Sequence, residues 1–105
     1  MKQSPADVYK AIADPTRRAI LNLLSEADRP VNELAIPFRM SQPAISQHLK
    51  VLREAGLVTV KREGRQRLYH MEPGPLREVY NWLEHFEQYW ERKLDALGTY
   101  LDRQK

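Results

Sequence analysis

The sequence predicts a mainly α-helical domain carrying one small β-hairpin, and three stretches predict it. Ser41 to Gly56, SQPAISQHLKVLREAG, has a cap residue, an apolar stripe at helical spacing and a terminating glycine. After Gly56 the apolar period becomes alternating, turns at Glu63-Gly64-Arg65 and alternates again to Met71. From Leu76 to about Leu101 an apolar stripe returns at heptad spacing, the mark of one long helix.

The Ser41 stretch organises the rest. Ser41 is a favoured N-cap, Ile45, Leu49 and Leu52 recur on one helical side, and Gly56 supplies the left-handed residue that ends a helix. At about 100° per residue, Pro43, Ala44, Gln47 and Lys50 point away from that stripe, with Gln42 and Ser46 on its flank. A solvated face usually carries Glu and Lys. This one carries small residues and amides, which permit close approach to a surface and bidentate contact with a base edge in the major groove. A polar surface that touches nothing is the plainer alternative for this helix alone.

Its neighbours read in order. Ser4-Pro5-Ala6-Asp7 opens a short helix with Val8 and Ile12 on one side, and Asp14-Pro15 ends it near Ala13 and opens a second, through ILNLL to about Ser25. Ile20, Leu21, Leu23 and Leu24 make this the most apolar helix. After a polar connection, Val31 to about Ile36 is a short helix stopped by Pro37, with Phe38 and Met40 expected to plug the corner before Ser41. Two helices joined by so short a link form a helix-turn-helix.

In the hairpin, Lys61, Arg65 and Arg67 alternate out of the core and Arg62 lies near the turn. Charge on a hairpin edge also protects against edge-to-edge pairing. Four basic residues directly after a recognition helix favour a phosphate or minor-groove contact. The overall charge is only +3, yet residues 39–71 hold seven basic side chains against two acidic, while residues 72–105 hold five against seven. A positive excess on the Ser41 helix and hairpin is the footprint of a polyanion binder.

In the last helix Leu76, Leu83, Trp90 and Leu97 share one seam position. Val79, Phe86 and Tyr100 share the second, where Lys93 interrupts; Tyr80, Leu94 and Leu101 widen the stripe, and Trp82 and Tyr89 extend it on the other side. A helix about 39 Å long outruns a domain of 105 residues. Its stripe needs a partner, and a homodimer through the first and last helices is the expected one. The dimerisation residues are Leu76, Val79, Leu83, Phe86, Trp90, Leu94 and Leu97.

Length and 42% hydrophobic content fit one domain over residues 1–105, with recognition helix about 41–55, hairpin about 57–71 and terminal helix about 76–101. No apolar run suits a membrane span or signal peptide, and the absence of cysteine excludes disulfides and thiolate chemistry. A cytoplasmic protein is expected. There is no glycine-rich phosphate loop and no nucleophile beside a base, and His48, His70 and His85 fall on separate elements, so no enzyme is expected.

The segments ADPTRRAILNLL (Ala13–Leu24), SQPAISQHLKVLREAGLV (Ser41–Val58) and REGRQRLYHM (Arg62–Met71), in this order, resemble the ArsR/SmtB-type winged helix-turn-helix repressors over about residues 5–101. The Ser-x-x-x-x-Ser-x-His-Leu spacing, the Leu-x-x-Ala-Gly-Leu-Val exit and the Arg-x-Gly-Arg wing carry the likeness. It implies a homodimeric, sequence-specific repressor of double-stranded DNA on an inverted repeat, with half-sites roughly 34 Å apart. Gln42, Pro43, Ser46 and Gln47 align with positions that meet DNA; Ala44 and Lys50 share their face, and Arg62, Arg65 and Arg67 form the wing contact. His48 is usual in the motif, with a packing or phosphate role ahead of base reading, and the Ser41 hydroxyl is expected to serve the cap.

Metal sensors of this family use cysteines near the recognition helix, or histidines with carboxylates on the terminal helix. Here cysteine is absent, and Glu84, His85, Glu87, Glu91 and Asp95 offer a single histidine, short of an ordinary zinc site. No metal or cofactor is expected, and the likeness is to the subgroup without cysteine ligands or an obvious effector site, which implies action through dimer stability or a partner protein. An unknown effector or partner protein is the expected regulator. The alternative function is a winged-helix protein-interaction module without direct DNA readout.

Overall fold

The computed structural model describes residues 5–103, so Ser4, the expected first cap, lies outside the described residues. Helix α1 spans Pro5–Ile12 and α2 Pro15–Glu26. Asp14 separates them in the extended conformation that a following proline imposes, and its carboxylate accepts the Arg17 N–H at 3.0 Å as the α2 N-cap. Helix α3, Val31–Ala35, runs into a 3-10 turn over Ile36–Phe38. Arg39 closes that turn at φ 54, a left-handed position unusual for a side chain with a Cβ.

Helix α4, Gln42–Glu54, follows. At its C-terminus the Leu57 N–H donates to the Leu52 carbonyl and the Gly56 N–H to the Arg53 carbonyl, both at 3.0 Å, with Gly56 at φ 77. This is the Schellman arrangement, and its apolar clasp joins Leu52 to Leu57, both fully buried. Strands β1, Val58–Glu63, and β2, Gln66–Met71, pair antiparallel in a register from Val58↔Met71 to Glu63↔Gln66. Gly64 and Arg65 form a two-residue turn. Gly64 has φ 63 and Arg65 lies outside the left-handed region, the II′ pattern that puts glycine first.

The core is built where these elements meet. Ile20 and Leu24 of α2, Leu34 of α3, Ile45, Leu49 and Leu52 of α4, and Val58 and Tyr69 of the hairpin are buried together, with Val8 and Ala11 of α1. Among the described residues no polar side chain is buried. Phe38 and Met40 are half-buried against this core at the α3–α4 corner.

The single terminal helix expected over about 76–101 is corrected by the structure. A 3-10 turn at Gly74–Leu76 leads into α5, Arg77–Glu84, and a separate helix α6 spans Glu87–Arg103. Between them the His85 and Phe86 N–H groups reach the Trp82 and Leu83 carbonyls at 3.2 and 2.9 Å, so three-residue spacing replaces four. Phe86 packs edge-on against Trp82 and His85 over this tightened turn. With neither proline nor glycine at the step, the side-chain pattern carries no signal of it.

Every described residue of α6 is exposed, and the molecule extends 61 Å along its longest axis. The radius of gyration is 18.0 Å, against about 13 Å for a compact chain of this length. Helix α6 projects from the domain.

Candidate nucleic-acid interface

Helix α4 presents its sequence-predicted face to solvent. Its first turn is held by Ser41, whose hydroxyl accepts the Ala44 N–H at 3.2 Å and is thereby committed to the cap. Gln42, Pro43, Ser46, Gln47 and Lys50 are exposed, Ala44 is half-buried, and Ile45, Leu49 and Leu52 are buried on the opposite side. The amide-bearing side chains are therefore displayed on a helix seated by its other face in the core.

The hairpin brings a second set of groups. Arg62 and Arg67 are direct cross-strand partners, and Arg65 occupies the turn beside them. All three are exposed and none makes an ion pair among the described residues. Like charges placed directly opposite one another repel, and a polyanion lying along the hairpin relieves that repulsion. Lys61 differs: its Nζ lies 3.8 Å from Asp28 Oδ2. Asp28 Oδ1 also lies 2.6 Å from His70 Nδ1, so Asp28 ties the α2–α3 connection to both strands.

Sequence reasoning missed one polar cluster. Arg17 Nε and Nη2 donate to the Ala11 and Lys10 carbonyls at 2.7 and 3.1 Å, and Arg18 Nη1 to the Ile12 carbonyl at 2.7 Å. Two arginines at the start of α2 thus satisfy the open carbonyls at the end of α1. Arg17 Nη1 also lies 3.3 Å from His48 Nδ1 on α4, with Asp14 Oδ2 4.0 Å from the same nitrogen. The Arg17 backbone hydrogen bond, and then the Arg17 charge, hold the Asp14 carboxyl below its usual range against the desolvation that raises it. The sequence signal was the Arg17-Arg18 pair one residue beyond the capping Asp14-Pro15.

The predicted dimerisation residues divide. Leu76 and Val79 are half-buried against their own core, and Leu83 is half-buried. Phe86, Trp90, Leu94 and Leu97 are 37, 49, 67 and 52% exposed, a stripe that the protomer leaves uncovered. Helix α1 joins this surface: the Tyr9 ring stands edge-on to Trp82 with centroids 6.0 Å apart, and its hydroxyl donates to the Glu78 carbonyl at 3.3 Å. Among the described residues no three of the His, Asp and Glu side chains converge on a point that would hold a metal, and no helix is long and apolar enough to cross a membrane.

A helix-turn-helix whose second helix exposes amides, followed by a basic two-stranded wing, defines a winged helix-turn-helix DNA-binding protein. The family model described as "Bacterial regulatory protein, arsR family" matches residues 14–60. The HTH-type transcriptional regulator Rv2034 of Mycobacterium tuberculosis is 39% identical over 100 residues, covering 95% of this chain and 91% of the relative. The transcriptional repressor SdpR of Bacillus subtilis is 39% identical over 80 residues, covering 76% and 89%. A crystal structure of an ArsR family transcriptional regulator, RHA00566, superposes with a TM-score of 0.70 at 37% identity, covering 82% of this chain and 94% of that one. The chain belongs to the ArsR family of DNA-binding transcriptional regulators.

Proposed function

We propose that the protein is a homodimeric repressor that reads an inverted repeat. Gln42, Pro43, Ala44, Ser46, Gln47 and Lys50 meet the major groove, with Gln47 and Gln42 reading base edges. Arg62, Arg65 and Arg67 lie along the flanking phosphates. The observation that carries this reading is the exposed amide face of α4 together with a hairpin bearing three exposed arginines that make no ion pair among the described residues. Phosphate contacts of the wing position the helix, and groove contacts supply sequence preference. Repression is supported by the likeness to SdpR, which bears the name transcriptional repressor.

Two copies clasp through α1 and the stripe of α5 and α6, because Phe86, Trp90, Leu94 and Leu97 are otherwise left in water. An isologous pair of this kind sets two α4 helices about one DNA turn apart, roughly 34 Å. Thiolate sensing is ruled out by the lack of cysteine, and regulation through a partner protein or a change in dimer stability fits the chain better. Nothing in the site favours catalysis, and the protein works inside the cytoplasm on double-stranded DNA.

Selection of bound duplexes from a random pool tests this. An enriched palindrome with half-sites one helical turn apart is expected. Enrichment of single half-sites would overturn the dimeric arrangement, and no enrichment above a scrambled pool would point instead to a protein-interaction module.

A further inference from the structure

The cluster that joins three helices beside the recognition face carries a consequence for DNA contact. Arginine offers only donors, so at the 3.3 Å contact between Arg17 Nη1 and His48 Nδ1 the imidazole nitrogen must accept. The competing arrangement, a protonated Nδ1 paired with Asp14, has 4.0 Å to span, beyond hydrogen-bond reach. A ring that accepts at Nδ1 carries its proton on Nε2. Among the described residues no buried side-chain nitrogen or oxygen lacks a partner. Nε2, which has no hydrogen-bond partner among the described residues, is therefore not fully buried, on a side chain that is 20% exposed.

We infer that Arg17 is a positioning residue that fixes His48 in the Nε2–H tautomer and aims this neutral donor at a DNA backbone phosphate. The inference rests on the reading that α4 enters the major groove. His48 lies on the flank of α4 that faces the α1–α2 corner, about 100° around the helix from Gln47. Phosphates line the rims of the groove, so a donor on the flank meets backbone rather than bases. Arg17 is itself held by the Lys10 and Ala11 carbonyls. Its one guanidinium thereby couples α1, which lies on the α5 side of the molecule, to the orientation of a contact on α4.

The test uses the full chain and a duplex selected from the random pool. Nitrogen-15 spectra of the His48 ring should show Nε2 protonated and Nδ1 bare in the free protein, and Arg17→Met should bring a mixture of tautomers. In His48→Asn the amide oxygen stands in for Nδ1 and can still accept from Arg17, but no donor reaches the Nε2 position. It should bind about tenfold more weakly, the loss of one hydrogen bond to a charged group. The slope of log affinity against log salt should stay unchanged, because a neutral donor releases no counterion. A proton on Nδ1, wild-type affinity of His48→Asn, or a slope reduced by about one would each overturn the inference. Arg17→Met also uncaps α1, and His48→Asn keeps the test independent of that. Gln47→Ala serves as control: if it leaves sequence preference intact, the placement of α4 has failed rather than the role of Arg17.

Discussion

Arg29 and Tyr69 exchange a pair of backbone hydrogen bonds, the Arg29 N–H donating at 3.1 Å and the Tyr69 N–H at 2.9 Å. The α2–α3 connection thereby adds a strand-like edge to β2 and holds the wing against the body. Because the bonds are carried by the backbone, Arg29→Ala should leave them in place, whereas Arg29→Pro removes one donor. Hydrogen exchange at the Tyr69 amide should accelerate at least tenfold in the proline variant, with a stability loss of about 1–3 kcal/mol. Equal protection of Tyr69 in both variants would show that the wing is held by other contacts.

Asp14 caps α2, and its carboxyl is held below the usual range first by the Arg17 N–H and then by the Arg17 charge. A carboxylate with a folded value below its unfolded one contributes stability above the unfolded value and loses it as pH falls through the folded one. Asp14→Ala should cost about 1 kcal/mol near neutral pH. Asp14→Asn keeps a capping oxygen but cannot titrate. The urea-melt difference between wild type and Asp14→Asn should therefore shrink between about pH 5 and about pH 2. A difference that stays constant over that window would remove the linkage.

Gln47 and Arg65 should fail differently. Gln47→Ala should cost about 1–3 kcal/mol on the selected site and relax sequence preference. Arg65→Ala should weaken specific and non-specific DNA alike and lower the salt slope by about one. Competition binding at two salt concentrations separates them, and matching losses on all sequences would withdraw base reading from Gln47.

Trp90 is 49% exposed in the protomer, so Trp90→Asp should leave helical content and melting of the domain nearly unchanged. In the proposed clasp the same change buries a charge without a partner. Sedimentation should report monomers at micromolar protein and operator affinity should collapse. A dimer that persists in this variant would move the interface off α6.

The periodic elements could be read directly. The Ser41 cap, the buried Ile45–Leu49–Leu52 stripe and the Gly56 stop each depend on residues within about four positions of one another. The wing register follows from the two-residue Gly64–Arg65 turn in the same way. Where the rule is local, chain and fold agree.

The terminal helix marks where that legibility ends. Heptad spacing announced one rod through Leu101, and a turn of three-residue spacing at His85 and Phe86 divides it into α5 and α6. Composition and period alone thus sufficed for the elements from α1 through the hairpin, the apolar stripes and the basic wing, but not for the division of the terminal helix. The fold was needed to bring Arg17 to His48, Asp28 to His70 and Arg29 to Tyr69, pairs separated by 31, 42 and 40 positions. Backbone preference and capping act over a helical turn. Contacts between distant polar groups exist only after whole elements have docked, and the apolar core that docks them is indifferent to which polar neighbours it brings together.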